Sequence, residues 1–336
     1  MLTLRRLAVI PTLRCTLCCR LCCNSVPLYD NPPFLPVNEV IADTMAAFDL
    51  ADRIEWIQLV GGEIFLYPEL AALIDAIAGR REQFDRLVLM TNGTLLPPPG
   101  AAEALARLAP ACEVQISDYG PLSRRVRELE ALLAGYGVPS QTKVFHGDLQ
   151  HYGGWVDNTS YDERGWSREE QKEIFDSCWQ IKMRNYHMYE GKLHPCIRSL
   201  FGLDLGKIPV PAEEYVDVRD LSRSREEKRE SLARLADRPL TACRYCGGFD
   251  TLRAKRFPAA EQMPICSELR SCADQRTSCS GQSPCADQVP ICSGQSPCAD
   301  QRAFRSELRS CAERRTSCSG QSPCAERHTE CAERLP

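Results

Sequence analysis

Five of the ten residues from Arg14 to Cys23 are cysteine, and three of them, Cys15, Cys19 and Cys22, stand as C-x3-C-x2-C. Three thiolates on one short loop can hold three irons of a 4Fe–4S cube and leave the fourth iron open to the donor atoms of a small molecule. The same loop also suits part of a zinc site, although zinc loops usually pair C-x2-C units and a fourth ligand is then needed. Ordinary buried thiols are the third reading. Cys18 and Cys23 are left over. A second group, Cys178, Cys196, Cys243 and Cys246, ends in C-x2-C and runs C-x12-G-x4-C across Gly191. A third feature is Val60-Gly61-Gly62-Glu63. A glycine pair at a strand end lets backbone approach a ligand closely, and the glutamate can accept hydrogen bonds from an ammonium group. Alone, such a triplet is more often a turn.

The elements that must position these residues alternate. Strand candidates are 7–11, 54–60, 86–91, 113–117 and 142–146; helical stretches lie at 37–51, 68–80, 101–109 and 121–137. Alternation of this kind argues for βαβ units and a parallel sheet. Five strands and four helices are too few for a closed eight-fold barrel, so the expectation is an α/β fold with a partial (β/α) barrel. Its working face is the C-terminal ends of the strands. The cysteine loop follows the first strand and the glycine pair ends the second, so both fall on that face. Residues 184–196 read as a hairpin turning at Glu190-Gly191, and 224–237 as a charged amphipathic helix. His151, Tyr152 and Trp155, and also Asp118 and Tyr119, are candidates for pocket contact. Cys112 reads as a buried thiol.

Bulk properties narrow the class. A chain of 336 residues can bury a sizeable core. Net charge is −4 and the isoelectric point about 5.9, so no basic field argues for nucleic acid. The N-terminus has too short an apolar run for a signal peptide, and no run approaches the ~18 residues of a membrane span. The reading is a cytoplasmic protein, where clustered cysteines suggest metal or redox chemistry before disulfides.

On these residues the sequence resembles the radical S-adenosylmethionine (SAM) superfamily. The matches are Cys15, Cys19 and Cys22, the Gly61-Gly62-Glu63 segment, Thr91-Asn92-Gly93 after the third strand and Ser117-Asp118 after the fourth, over roughly residues 5 to 262. Leu21 departs from the pattern, because an aromatic residue usually stands there, near the adenine. The resemblance implies a 4Fe–4S cluster on Cys15, Cys19 and Cys22 whose open iron binds the amino and carboxylate groups of SAM. Gly61, Gly62 and Glu63 would line the cofactor, Gly62 and Glu63 holding its ammonium. Asn92 and Ser117 would contact its carboxylate or ribose. One electron, from a donor such as flavodoxin or ferredoxin, would cleave SAM, and the 5′-deoxyadenosyl radical would take hydrogen from a substrate. Cys178, Cys196, Cys243 and Cys246 resemble the SPASM/twitch module, which holds an auxiliary 4Fe–4S cluster; a zinc site on the same thiolates stays open. Because such modules are common among peptide maturases, a peptide or protein is the expected substrate of this oxidoreductase-type enzyme, with a small molecule or carbohydrate as runner-up. A zinc- or Fe–S-stabilised binding protein without SAM chemistry is the alternative from another class.

The expected organisation is a barrel domain over 1–165, an auxiliary-cluster module over 166–262 and a tail over 263–336. The tail carries ten cysteines in alternating steps of six and seven, with one gap of a full thirteen from 298 to 311 where Arg305 stands in place of a cysteine, and 267–286 recurs almost unchanged at 306–325. Its polar spacers cannot build a core, which suggests disorder. It reads as a repeat extension without a role, as a fused peptide substrate, or as a loose thiol-rich metal binder.

Overall fold

A computed structural model of the chain describes residues 1–150, 155–248 and 254–263. Eight strands form one open sheet: β1 (Thr3–Thr12), β2 (Arg53–Gly61), β3 (Phe84–Thr91), β4 (Cys112–Asp118), β5 (Ser140–Val144), β6 (Asn185–Tyr189), β7 (Lys192–His194) and β8 (Val216–Asp217), in the order β5-β4-β3-β2-β1-β6-β7-β8. Strands β1 to β6 pair in parallel, and β7 and β8 are antiparallel. The helices are α1 (Val37–Leu50), α2 (Leu70–Ala78), α3 (Ala101–Leu108), α4 (Val126–Gly135), α5 (Arg168–Ser177), α6 (Trp179–Lys182), α7 (Ile197–Asp204) and α8 (Arg225–Arg234).

Alternation along the strands decides what each face meets. Leu7 and Val9, Ile57 and Leu59, Leu87 and Leu89, and Val114 and Ile116 are buried in one core with Phe48, Leu73, Ile77, Leu105 and Leu133 of the crossover helices. The alternate residues are mixed: Ala8, Ile10 and Val88 are apolar and buried, while Arg6, Trp56, Gln58, Arg86, Glu113 and Gln115 are polar or aromatic. The Arg6 guanidinium lies 4.5 Å from the Trp56 ring and 5.0 Å from that of Trp179, and Arg86 pairs with Glu113 at 3.0 Å. The sheet therefore has a wholly apolar side under helices and a mixed side that carries its polar groups. Its parallel strands carry their C-terminal ends to one edge, where the cysteine loop, the glycine pair, Asn92 and Ser117 stand.

All five strands read from the sequence are present, although β5 ends at Val144, two residues early. The helix expected from residue 121 begins at Val126, because Gly120-Pro121-Leu122 forms a 3-10 turn first. The hairpin is as expected. Its two turn residues, Glu190 (φ 47°) and Gly191 (φ 74°), both have the left-handed backbone of a two-residue I′ turn. Its location is different, since β6 lies beside β1 in the main sheet and so extends the barrel sheet beyond residue 165. Helices α5, α6 and α7 were not anticipated. α5 and α8 each open with a reciprocal capping box, Ser167 with Glu170 and Ser224 with Glu227. Among the described residues no helix is long and apolar enough to cross a membrane. The cysteine repeats and the rest of the expected tail beyond Met263 lie outside the described residues, as do His151 and Tyr152.

Candidate active site

Strand β1 delivers the cysteine loop, and backbone donors gather around its sulfurs. Leu17 N–H donates to Cys15 Sγ at 3.3 Å, and Asn92 Nδ2 lies 3.6 Å from the same atom. Gln262 Nε2 donates to Cys19 Sγ at 3.3 Å. At Cys22 the N–H groups of Val26, Asn24 and Ser25 favour the thiolate. Against these donors, burial pushes the Cys15 and Cys22 thiols up, and Cys15 also feels the neighbouring charges of Cys22 and Cys19. Three neighbouring thiols, one buried and two half-buried, with N–H donors aimed at their sulfurs are costly as bare anions and favourable around a cation. That donor set fits the iron cluster the resemblance implies. Of the two left-over cysteines, Cys23 is exposed.

Strand β2 ends against this loop. Gly62 N–H donates to Thr12 O at 2.9 Å and Glu63 N–H to Arg14 O at 2.8 Å, while the Asn24 amide donates to Gly61 O. A Cβ on Gly61 would sit 2.1 Å from Thr12 O, and one on Gly62 would sit 2.0 Å from Arg14 O. The close approach that requires glycine here is to the backbone of the cysteine loop. The Glu63 side chain turns inward and is fully buried. Its Oε1 accepts from Thr91 Oγ1 at 2.7 Å and Phe65 N–H at 3.0 Å, and its Oε2 from Asn92 N–H at 2.8 Å. Burial raises its pKa against these three donors. Oε1 is filled, and Oε2 keeps room for one further donor.

At the ends of β3 and β4 the side chains are likewise engaged. The Asn92 amide donates to Thr16 Oγ1 at 3.0 Å and accepts from Thr94 N–H at 3.1 Å, and Thr16 and Thr94 share a 2.6 Å hydrogen bond. Ser117 is half-buried beside Tyr119. Asp118 accepts from Gly120 N–H at 2.8 Å and lies 3.4 Å from His146. Tyr119 packs with Cys19, Leu17 and Trp155, the Trp155 ring standing edge-on at 6.0 Å. Ser123 was missed. Its buried hydroxyl lies 2.6 Å from Asn92 O and 3.1 Å from Ser117 O and accepts from Tyr119 N–H at 2.8 Å, tying the ends of β3 and β4 together. A lone serine after a Pro-Leu pair carries no sequence signal for that role. Cys112 is buried as expected, 3.2 Å from Leu105 O.

The second cysteine group also converges. Cys243 feels the charges of Cys196, Cys246 and Cys178, and burial pushes the Cys196 thiol up to about 12. Cys178 joins α5 to α6, and Cys196 caps the N-terminus of α7, where the N–H groups of Ser199 and Arg198 favour its thiolate. Gly248 N–H donates to Cys246 Sγ at 3.3 Å. Cys196, Cys243 and Cys246 pack in one small apolar core with Ile174, Phe175 and Leu240. Among the described residues no three His, Cys, Asp or Glu side chains converge tightly enough to hold a single metal ion.

Residues 9–117, which carry the first cysteine loop, the glycine pair and Asn92, match the family model described as Radical SAM superfamily. The chain carries a radical SAM domain. That domain supports an enzyme that works with SAM and a 4Fe–4S cluster. No curated protein matches. Solved structures similar to the chain include BtrN in complex with AdoMet and 2-DOIA (14% identity, 78% of this chain and 100% of that one, TM-score 0.48). Another is anSMEcpe with bound AdoMet and the Kp18Cys peptide (15% identity, 82% and 98%, TM-score 0.46). A third is SuiB from Streptococcus suis bound to S-adenosylmethionine (18% identity, 42% and 33%, TM-score 0.35), of whose length this chain spans a third.

Proposed function

We propose that this radical SAM enzyme holds its cluster on Cys15, Cys19 and Cys22, cleaves SAM there, and directs the 5′-deoxyadenosyl radical to a peptide or protein. The observation that carries the reading is the convergence of N–H donors from the cysteine loop itself, from Asn92 and from Gln262 on those three sulfurs. When bound on Cys15, Cys19 and Cys22, the cluster would supply the electron, received from an external donor, that splits SAM into methionine and a 5′-deoxyadenosyl radical able to take hydrogen from a substrate. The protein's share is placement. Gly61 and Gly62 bring the end of β2 against the cysteine loop. Glu63 fixes Thr91 and Asn92, and Asn92 reaches the Cys15 sulfur. Ser117 and Tyr119 stand at the adjoining strand end, Tyr119 against Cys19. SAM contacts by Gly62, Glu63, Asn92 and Ser117 belong to this proposal.

The second group, Cys178, Cys196, Cys243 and Cys246, is assigned an auxiliary 4Fe–4S cluster. Four thiolates saturate it, so its role is electron transfer or support. The assignment supports a peptide substrate through the resemblance to peptide maturases, and it requires a reducing compartment such as the cytoplasm and a flavodoxin- or ferredoxin-like donor. Deuterium transfer tests the substrate class. The reconstituted enzyme is given SAM, a reductant and cysteine-containing peptides deuterated along the backbone and at Cβ. Deuterium in 5′-deoxyadenosine is the expected result. Label appearing only from deuterated polyols or sugars would favour the small-molecule reading.

A further inference from the structure

The last described residues return to the first cysteine loop. Cys19 and Gln262 form an antiparallel bridge. Arg20 N–H donates to Glu261 O at 2.8 Å, and Met263 N–H to Cys18 O at 2.9 Å. The Arg20 and Glu261 side chains pair, and the Arg20 guanidinium lies 5.6 Å from the Phe257 ring. Ala260 packs with Leu17 and Cys19, on the same patch as Tyr119 and Trp155. Upstream, Trp155 and Phe257 exchange both backbone hydrogen bonds, at 3.1 and 2.8 Å. No cysteine or recognisable motif marks 254–263, yet it covers the loop that would carry the cluster.

Gln262 is the residue whose chemistry exceeds covering. Its Oε1 accepts from Cys18 N–H at 2.8 Å. That contact fixes which end of the amide is oxygen, because the oxygen must face the backbone donor. The NH2 end is then committed, one hydrogen to Ala260 O at 2.8 Å and the other to Cys19 Sγ at 3.3 Å. All three fixed contacts of the amide are used, so the group cannot rotate away without stranding a partner. A donor locked onto a cluster thiolate stabilises the more negative, reduced state, and hydrogen bonds to sulfur are among the factors that set such potentials.

We propose that Gln262 is a positioning and tuning residue of the SAM-binding cluster: its side-chain N–H, locked on Cys19 Sγ by the 259–263 strip, raises the cluster's reduction potential and slows its loss. This rests on the reading of Cys15, Cys19 and Cys22 as cluster ligands. Reduction adds one electron to the cluster from an external donor, and the N–H···S bond shortens without transferring its proton.

The test is an EPR-monitored redox titration of the full-length, reconstituted protein, with Cys243→Ala and Cys246→Ala in the background so that the second thiol group is disabled. Gln262→Met keeps the length and removes the donor. Its midpoint potential is expected to shift to more negative values, and iron loss to a chelator to become on the order of tenfold faster. Gln262→His restores an N–H at the same reach and is expected to sit near wild type. Glu261→Gln breaks the ion pair with Arg20 while leaving the sulfur contact, and its potential is expected to be unchanged. An unshifted potential in a fully loaded Gln262→Met overturns the assignment. Equal failure of the Met and His variants to load also overturns it, because the amide donor is then not what matters. A wild-type cluster that survives replacement of Cys15, Cys19 and Cys22 by alanine would overturn the cluster reading itself, and this assignment with it.

Discussion

The buried Glu63 shows how a residue can matter to a site by organising the strand ends that build it. Its carboxylate gathers three donors from Phe65, Thr91 and Asn92. Glu63→Gln would point an NH2 group at donors, leaving at least one of them unsatisfied inside the protein. A loss of about 1–3 kcal/mol is expected, read as a lower unfolding midpoint of the metal-free protein. A variant as stable as wild type would show that the carboxylate does not organise the ends of β2 and β3. His187 makes a second residue-level prediction. Burial pushes its pKa from the ordinary 6.5 down to about 3. Between those values the unfolded chain binds a proton that the native state refuses, so the contribution is complete above about pH 6.5 and is lost as pH falls toward 3. Thermal stability should therefore fall from pH 7 to pH 4, less steeply in His187→Gln. Parallel pH profiles would count against that cause. The cysteine spacing was legible because ligand chemistry fixes it. The inward turn of Glu63 was not, because its partners lie 28 and 29 residues away on another strand.

Among the elements, the five parallel strands and their crossover helices were legible because period-2 and period-3.6 patterns are local. The Glu190-Gly191 turn was legible for the same reason. The place of the hairpin was not, because nothing in a strand's own pattern says which edge it joins. In the structure β6 takes the free side of β1, and the segment after β8 is tied to α1. Arg219 grips the buried Asp43 with both Nε and Nη2 at 2.8 Å and reaches Glu39 at 3.0 Å. Arg219→Met would leave the Asp43 carboxylate buried and unpaired. The expected cost is about 3 kcal/mol, measured by urea unfolding. A change below about 0.5 kcal/mol, the size of an ordinary surface substitution, would mean that this junction does not hold the β6–β8 edge in place.

For the molecule as a whole, the first cysteine group, the glycine pair and the polar strand ends meet on the C-terminal side of one open α/β sheet, as expected of a partial barrel. The site is closed by residues without motifs: Ser123 between two strand ends, and the 259–263 strip across the cysteine loop. Those contacts are set by tertiary packing between segments as many as 244 residues apart, so no window of sequence contains them. The central claim is that Cys15, Cys19 and Cys22 carry the SAM-cleaving cluster. The most direct test is anaerobic release of 5′-deoxyadenosine and methionine from SAM by the reconstituted full-length enzyme under a strong reductant, with and without cysteine-containing peptides. The account predicts release of both products in equal amounts by wild type and none by Cys19→Ala. No release from iron-loaded wild type under either condition, or undiminished release from Cys19→Ala, would contradict it.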